Sequence, residues 1–170
     1  MYMKNDEKFL MKAKIKEEGD SMLKYKNILV PYDGSDHARE ALKQAVDMAQ
    51  NSENCTLHVA SVCNMVAAVR KSDQASISEG KLTAELAEDS EMEAREALKE
   101  AEKLIPQDLP ANMIYEIGSP TQVLLEIAEK YNCDLIVMGS RGLGPIKGIF
   151  MGSVSSYLVS HAKVPVCIVK

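Results

Sequence analysis

The chain has no tryptophan and two phenylalanines, and aromatic residues make up 5% of it. A protein that holds nucleic acid by stacking bases on aromatic rings is therefore a poor fit. Excess positive charge is missing too. Twenty lysines and arginines stand against twenty-five acidic residues, for a formal net charge of −5. No basic run is free of acidic neighbours, so the footprint of a nucleic-acid partner is absent. No apolar stretch approaches the ~20 residues of a bilayer span, and no membrane association is expected. The four cysteines, Cys55, Cys63, Cys133 and Cys167, include no C-x-x-C pair. Together with His37, His58 and His161 they offer no zinc-like spacing. They read as reduced thiols of a cytoplasmic protein, with Cys55 and Cys167 in or beside apolar runs where a small hydrophobe is useful. The first twenty residues, MYMKNDEKFLMKAKIKEEGD, contain no uninterrupted apolar run, so they are not expected to act as a secretory signal.

What is there suits one domain with a sizeable core: 170 residues, 46% of them hydrophobic. Residues 1–24 read as an extension, flexible or a short helix, and residues 25–170 as the folded unit. Residues 28–31 (ILVP) are a short apolar run suited to a buried parallel strand. Asp33-Gly34-Ser35 breaks it, and Ser35 is a good helix N-cap with Asp36 in the first turn. Ala38, Leu42, Ala45, Val46 and Ala49 then recur at helical spacing. Residues 55–62 are a second strand, residues 63 to about 80 a long loop, and residues 79–103 a helix. Residues 112–118 are a third strand. Ser119, Pro120 and Gln122 then give a helix start at N-cap, N1 and N3. Residues 134–138 (DLIVM) are a fourth strand, residues 152–161 a helix, and VPVCIVK a closing fifth strand. Regular alternation of strand and helix predicts an α/β fold, a single doubly wound parallel sheet with helices on both faces.

Five of the nine glycines fall in residues 139–153, GSRGLGPIKGIFMGS, between the fourth strand and the last helix. In doubly wound sheets, ligands sit beyond the carboxyl ends of strands where the strand order reverses. A helix N-terminus offers free N–H groups and a partial positive charge, which suits phosphate. Glycines let backbone amides approach an anion without a Cβ in the way. Gly142 can present its amide, Gly152 and Ser153 begin the helix, and Arg141 and Lys147 can supply charge. Asp33, at the end of the first strand, can accept from a ribose hydroxyl or from adenine. The loop is neither G-x-x-x-x-G-K-[ST] nor G-x-G-x-x-G after the first strand.

The loop does match G-x2-G-x9-G-[ST], as Gly139, Gly142, Gly152 and Ser153. In this it resembles the ATP-binding branch of the universal stress protein family. ILVPYDGS resembles that family's first strand and acidic turn, LHVASV its second strand, and DLIVMGSRG its fourth. GSVSSYLVSHAKVPVCIVK resembles its closing helix and strand. The resemblance runs from about Lys26 to Lys170 and implies a five-stranded order 3-2-1-4-5. It implies ATP as ligand, with Mg2+ or Mn2+ on the triphosphate. Pro31 and Asp33 would then lie at the adenosine end, and the backbone of Val59 would meet the adenine. Met138, Gly139, Arg141 and Gly142 would line ribose and phosphates, and Gly152, Ser153 and Val154 would hold phosphates. The resemblance further implies a homodimer formed through the last strand, and an unidentified protein partner. Gly148 stands where many relatives carry a larger or basic residue, so weaker phosphate binding is expected.

The function expected is an ATP-binding regulatory switch of the stress response, with at most slow hydrolysis and no dedicated catalytic residue. The alternative is a dimeric scaffold of the same fold that ignores nucleotide. An adenylating ligase is disfavoured, because PYDGSDHA is not the S-G-G-x-D-S loop such enzymes carry after the first strand.

Overall fold

Ile28, Leu29 and Val30 form the centre of β1 (Asn27–Pro31) and are all fully buried. A strand covered on both faces needs such an unbroken apolar run. The computed structural model describes residues 24–64, 81–143 and 151–170, with only the backbone of residues 81–87. Residues 1–23, 65–80 and 144–150 lie outside the described residues. The N-terminal extension up to Leu23, most of the long loop, Lys147 and Gly148 fall there.

After β1 come α1 (Asp36–Gln50), β2 (Thr56–Cys63), α2 (Lys81–Leu104) and β3 (Ala111–Ile117). Then follow α3 (Pro120–Lys130), β4 (Leu135–Gly139), α4 (Ser153–His161) and β5 (Val166–Val169). Ser35 caps α1 as expected, its Oγ accepting from the Ala38 amide at 3.3 Å. The stripe of Ala38, Ala41, Leu42, Ala45, Val46 and Ala49 is buried. Ser119 is the N-cap residue of α3 with Pro120 behind it, but its side chain makes no capping bond. Its Oγ pairs with Thr121 Oγ1 at 2.9 Å instead. A second hydroxyl two residues on has taken the place of the backbone amide.

The five strands pair in parallel in the order β3-β2-β1-β4-β5. The order reverses between β1 and β4, where Ile28 pairs with Leu135 and Leu29 with Ile136. Alternate residues of the strands feed two cores. Ile28, Val30, Leu57, Val59, Leu135 and Val137 pack under α1 and α2. Leu29, Ala60, Ile136 and Met138 pack under α3 and α4, with Leu124, Ile127 and Leu158. Burying one such leucine contributes about 2 kcal/mol. Cys55 and Cys133 are buried free thiols, and burial, then the Asp134 charge, pushes each up to about 11.

The amino-terminal edge of the sheet holds a buried polar cluster. Asp134 accepts from the Lys26 amide at 2.8 Å and the Asn27 amide at 3.2 Å. His58 is 3% exposed and lies between Asn27 Oδ1 and Asn112 Nδ2, each at 3.2 Å. The oxygen needs a donor and the amide nitrogen an acceptor, so His58 sits neutral with its proton on Nε2. Burial holds its pKa below the usual histidine value. In the window from about pH 6.5 downward to the folded value, the unfolded chain binds the extra proton and the folded one does not. Stability from this group is therefore present above about pH 6.5 and is lost as pH falls through that window. Urea midpoints at pH 7.5 and 5.5 should differ more in the native protein than in His58→Gln, which does not titrate.

Candidate functional site

A cavity of about 570 Å3 opens at the carboxyl ends of β1, β2 and β4, beside the reversal in strand order. Its two ends differ in character. Towards β2 and α3 it is lined by Ala60, Val62, Asn64, Pro120 and Leu124. Towards β4 and α4 it is lined by backbone-rich residues of the glycine loop and the start of α4. Pro31, Asp33 and Met138 lie between. An apolar slot that leads to a row of amides suits a ligand with an aromatic body and an anionic tail.

Asp33 joins the two sides. Its Oδ1 accepts from the Ser35 amide at 3.0 Å, closing the turn into α1. Its Oδ2 reaches over to the Leu143 amide at 3.2 Å, so the β1 turn holds the start of the glycine loop. Gly142 lies directly against this carboxylate, and a Cβ there would collide with Asp33 Oδ2. Gly139 is also tightly enclosed, because a Cβ would lie 2.7 Å from His37 Cβ and 2.8 Å from the His37 carbonyl carbon. At Gly152 a Cβ would meet nothing closer than 3.5 Å. The first two glycines thus answer to the protein's own packing, and the third does not.

Gly152, not Ser153, occupies the N-cap position of α4, and among the described residues no side chain caps this helix. Ser153 is its first helical residue. The Gly152 amide is taken by the Ser140 carbonyl at 2.8 Å, and the first intrahelical bond runs from the Ser156 amide to the Gly152 carbonyl at 2.9 Å. The amides of Ser153, Val154 and Ser155 thus have no helical partner, and all three residues line the cavity. An uncapped helix end of this kind carries partial positive charge into the pocket.

Nine of the ten residues proposed from the sequence line one cavity: Pro31, Asp33, Met138, Gly139, Arg141, Gly142, Gly152, Ser153 and Val154. Val59 does not. Its side chain is fully buried in the core under α1 and α2. Alternation along β2 gives the cavity face to Ala60 and Val62 instead. A role for the Val59 backbone rests on the resemblance alone. Arg141 is exposed, with Nη2 3.4 Å from His37 Nε2.

Other contributors were not visible in the sequence. Tyr32 lines the cavity, and its hydroxyl donates to Glu100 Oε1 of α2 at 3.1 Å. Arg39 of α1 grips the same carboxylate, through Nε at 2.5 Å and Nη2 at 3.2 Å. Burial, then the bond to Glu100, pushes the Tyr32 phenol up to about 12. The Arg39 bonds hold the Glu100 carboxyl below the usual range. The cluster keeps Tyr32 a neutral donor and ties α2 to the first turns of α1. Local pattern cannot reveal it, since sixty-one positions separate Arg39 from Glu100.

The family model described as "Universal stress protein family" matches residues 24–170. The universal stress protein Sll1388 of Synechocystis sp. is 30% identical over 151 residues, covering 86% of this chain and 98% of that protein. Among solved structures, the universal stress protein UspA of Lactobacillus plantarum superposes with a TM-score of 0.72 at 26% identity, covering 86% of this chain and 99% of that one. A universal stress protein solved in complex with cAMP superposes with a TM-score of 0.55 at 25% identity, covering 86% and 97%.

Proposed function

This chain belongs to the universal stress protein family, and we propose that it is an ATP-binding regulatory switch of the stress response. The observation that carries this reading is the uncapped start of α4. Three amides without a helical partner, of Ser153, Val154 and Ser155, line the far end of a cavity that is apolar at its β2 and α3 end. The 570 Å3 available suits a nucleotide-sized ligand. A related protein solved with cAMP supports an adenine nucleotide as the ligand class. Adenine would lie in the apolar slot by Val62, Pro120 and Leu124, and the ribose would meet Asp33. The phosphates would reach Gly142, Gly152 and the α4 amides, with Arg141 at the rim.

Among the described residues no group of three metal-ligating side chains exists. Mg2+ or Mn2+ would be held by phosphate oxygens and water, as magnesium often is. At most slow hydrolysis, with no dedicated catalytic residue, is part of the proposal.

A homodimer through β5 is part of the same proposal. Val166, Cys167, Ile168 and Val169 are all half-buried at an open sheet edge. An apolar edge of this kind invites strand pairing with a second copy. No helix among the described residues is long and apolar enough to cross a membrane. A cytoplasmic location is also proposed.

The test is to denature protein purified without added nucleotide and analyse the supernatant by chromatography and mass spectrometry. Near-stoichiometric ATP or ADP is expected. If none is found and saturating Mg-ATP gives no binding heat on titration, the scaffold reading replaces this one.

A further inference from the structure

We propose that Ser155 is a positioning residue for phosphate binding, its hydroxyl closing the two ends of the glycine loop onto each other. This deepens the nucleotide reading above and rests on it. Ser155 is 2% exposed and is the third residue of α4. A helical serine hydroxyl commonly donates to a backbone carbonyl three or four residues back. This one also reaches a carbonyl at the far end of the glycine loop. Its Oγ lies 2.9 Å from the Ser140 carbonyl and 3.0 Å from the Gly152 carbonyl. A hydroxyl carries one proton, so it donates to one of these at a time. Ser140 opens the loop and Gly152 ends it, so the bond to the Ser140 carbonyl is the one that joins the loop's two ends.

Ser140 is itself fixed. It is 2% exposed, and its amide donates to the Val169 carbonyl of β5 at 2.7 Å. Its carbonyl accepts from the Gly152 amide at 2.8 Å as well as from Ser155. The start of α4 is thereby referenced to the sheet through one buried carbonyl with two donors. Removing the Ser155 hydroxyl leaves the Gly152 bond, so the carbonyl keeps one partner and the chain should still fold. What is lost is the second tether, and with it the fixed aim of the Ser153 and Val154 amides. Pre-aimed donors bind an anion without a further ordering cost. The apolar slot is built from β2 and α3, to which this tether does not run.

The experiment measures dissociation constants for Mg-ATP and for adenosine in the native protein, Ser155→Ala and Ser155→Thr. In Ser155→Ala the Mg-ATP constant should rise about fivefold, the worth of one ordinary hydrogen bond, while that for adenosine stays within about twofold. Ser155→Thr keeps the hydroxyl and should restore the native ratio. Equal weakening of both ligands, or no change in either, would overturn the inference. If Ser155→Ala does not fold, Ser155→Cys keeps the size with a weaker donor, and its ratio is read the same way. A native protein that binds no Mg-ATP at all sinks the nucleotide reading itself, a result distinct from either outcome in the variants.

Discussion

Gly139→Ala should lower the free energy of unfolding by about 3 kcal/mol, near the upper end of what overpacking costs. Gly139 is the buried last residue of β4, held in register opposite Val169. An added Cβ would stand 2.7 Å from His37 Cβ, 2.8 Å from its carbonyl carbon and 2.9 Å from its carbonyl oxygen. Two of those three contacts are backbone, so no rotamer change relieves them. The first turn of α1 would have to retreat. It is held there by the Ser35 cap and by the double bond from Arg39 to Glu100. A retreat would also carry off Asp33, which is tied to Ser35, so nucleotide binding should weaken with stability. Gly152→Ala is the contrast. Its backbone angles, φ −71° and ψ 165°, suit any residue, and its Cβ would have ordinary contacts. It should cost no more than about 1 kcal/mol, the scale of an N-cap change. Urea denaturation with unchanged slopes would report both. Two glycines of one sequence pattern should thus separate by a measurement that involves no ligand.

That separation also marks the limit of what the sequence made legible. Spacing placed Gly139, Gly142 and Gly152 together correctly, and strand-helix alternation yielded all nine described elements with ends shifted by one or two residues. Hydrophobic runs carry no record of which strand lies beside which. The order β3-β2-β1-β4-β5 was available only through the resemblance. Glycine content could not tell a residue squeezed by its own protein, such as Gly139, from one with room to spare, such as Gly152. Ser140 and Ser155 escaped notice for a related reason. A serine reads as polar and exposed, and only the fold shows that both are 2% exposed and share a carbonyl. The Tyr32, Arg39 and Glu100 cluster joins three segments over long sequence separations, which local pattern does not register. At Val59 only a backbone role was expected, and the two-residue period of β2 sends its side chain to the other core.

Asp33→Asn should weaken Mg-ATP binding at least about tenfold while leaving α1 correctly started. Asp33 carries two separable duties. Through Oδ1 it closes the turn to the Ser35 amide at 3.0 Å, and asparagine makes such turns equally well. Through Oδ2 it accepts from the Leu143 amide at 3.2 Å, and in asparagine that position becomes an NH2 facing an N–H. Two donors cannot bond each other, so the link from the β1 turn to the glycine loop is lost. Flipping the amide would save the loop bond and break the turn instead. A bond to a charged acceptor contributes about 1.5–3 kcal/mol, which at about 1.4 kcal/mol per decade is tenfold or more. Under the proposed pose the same carboxylate accepts from the ribose, and asparagine would weaken that contact as well. Calorimetric titration with Mg-ATP gives the affinity, and far-ultraviolet circular dichroism checks the helix. Tenfold loss with unchanged helix content is the result expected of a residue that serves the cavity. Native affinity in the variant would mean that Asp33 serves only the turn, and that the carboxylate's reach to Leu143 is incidental to binding.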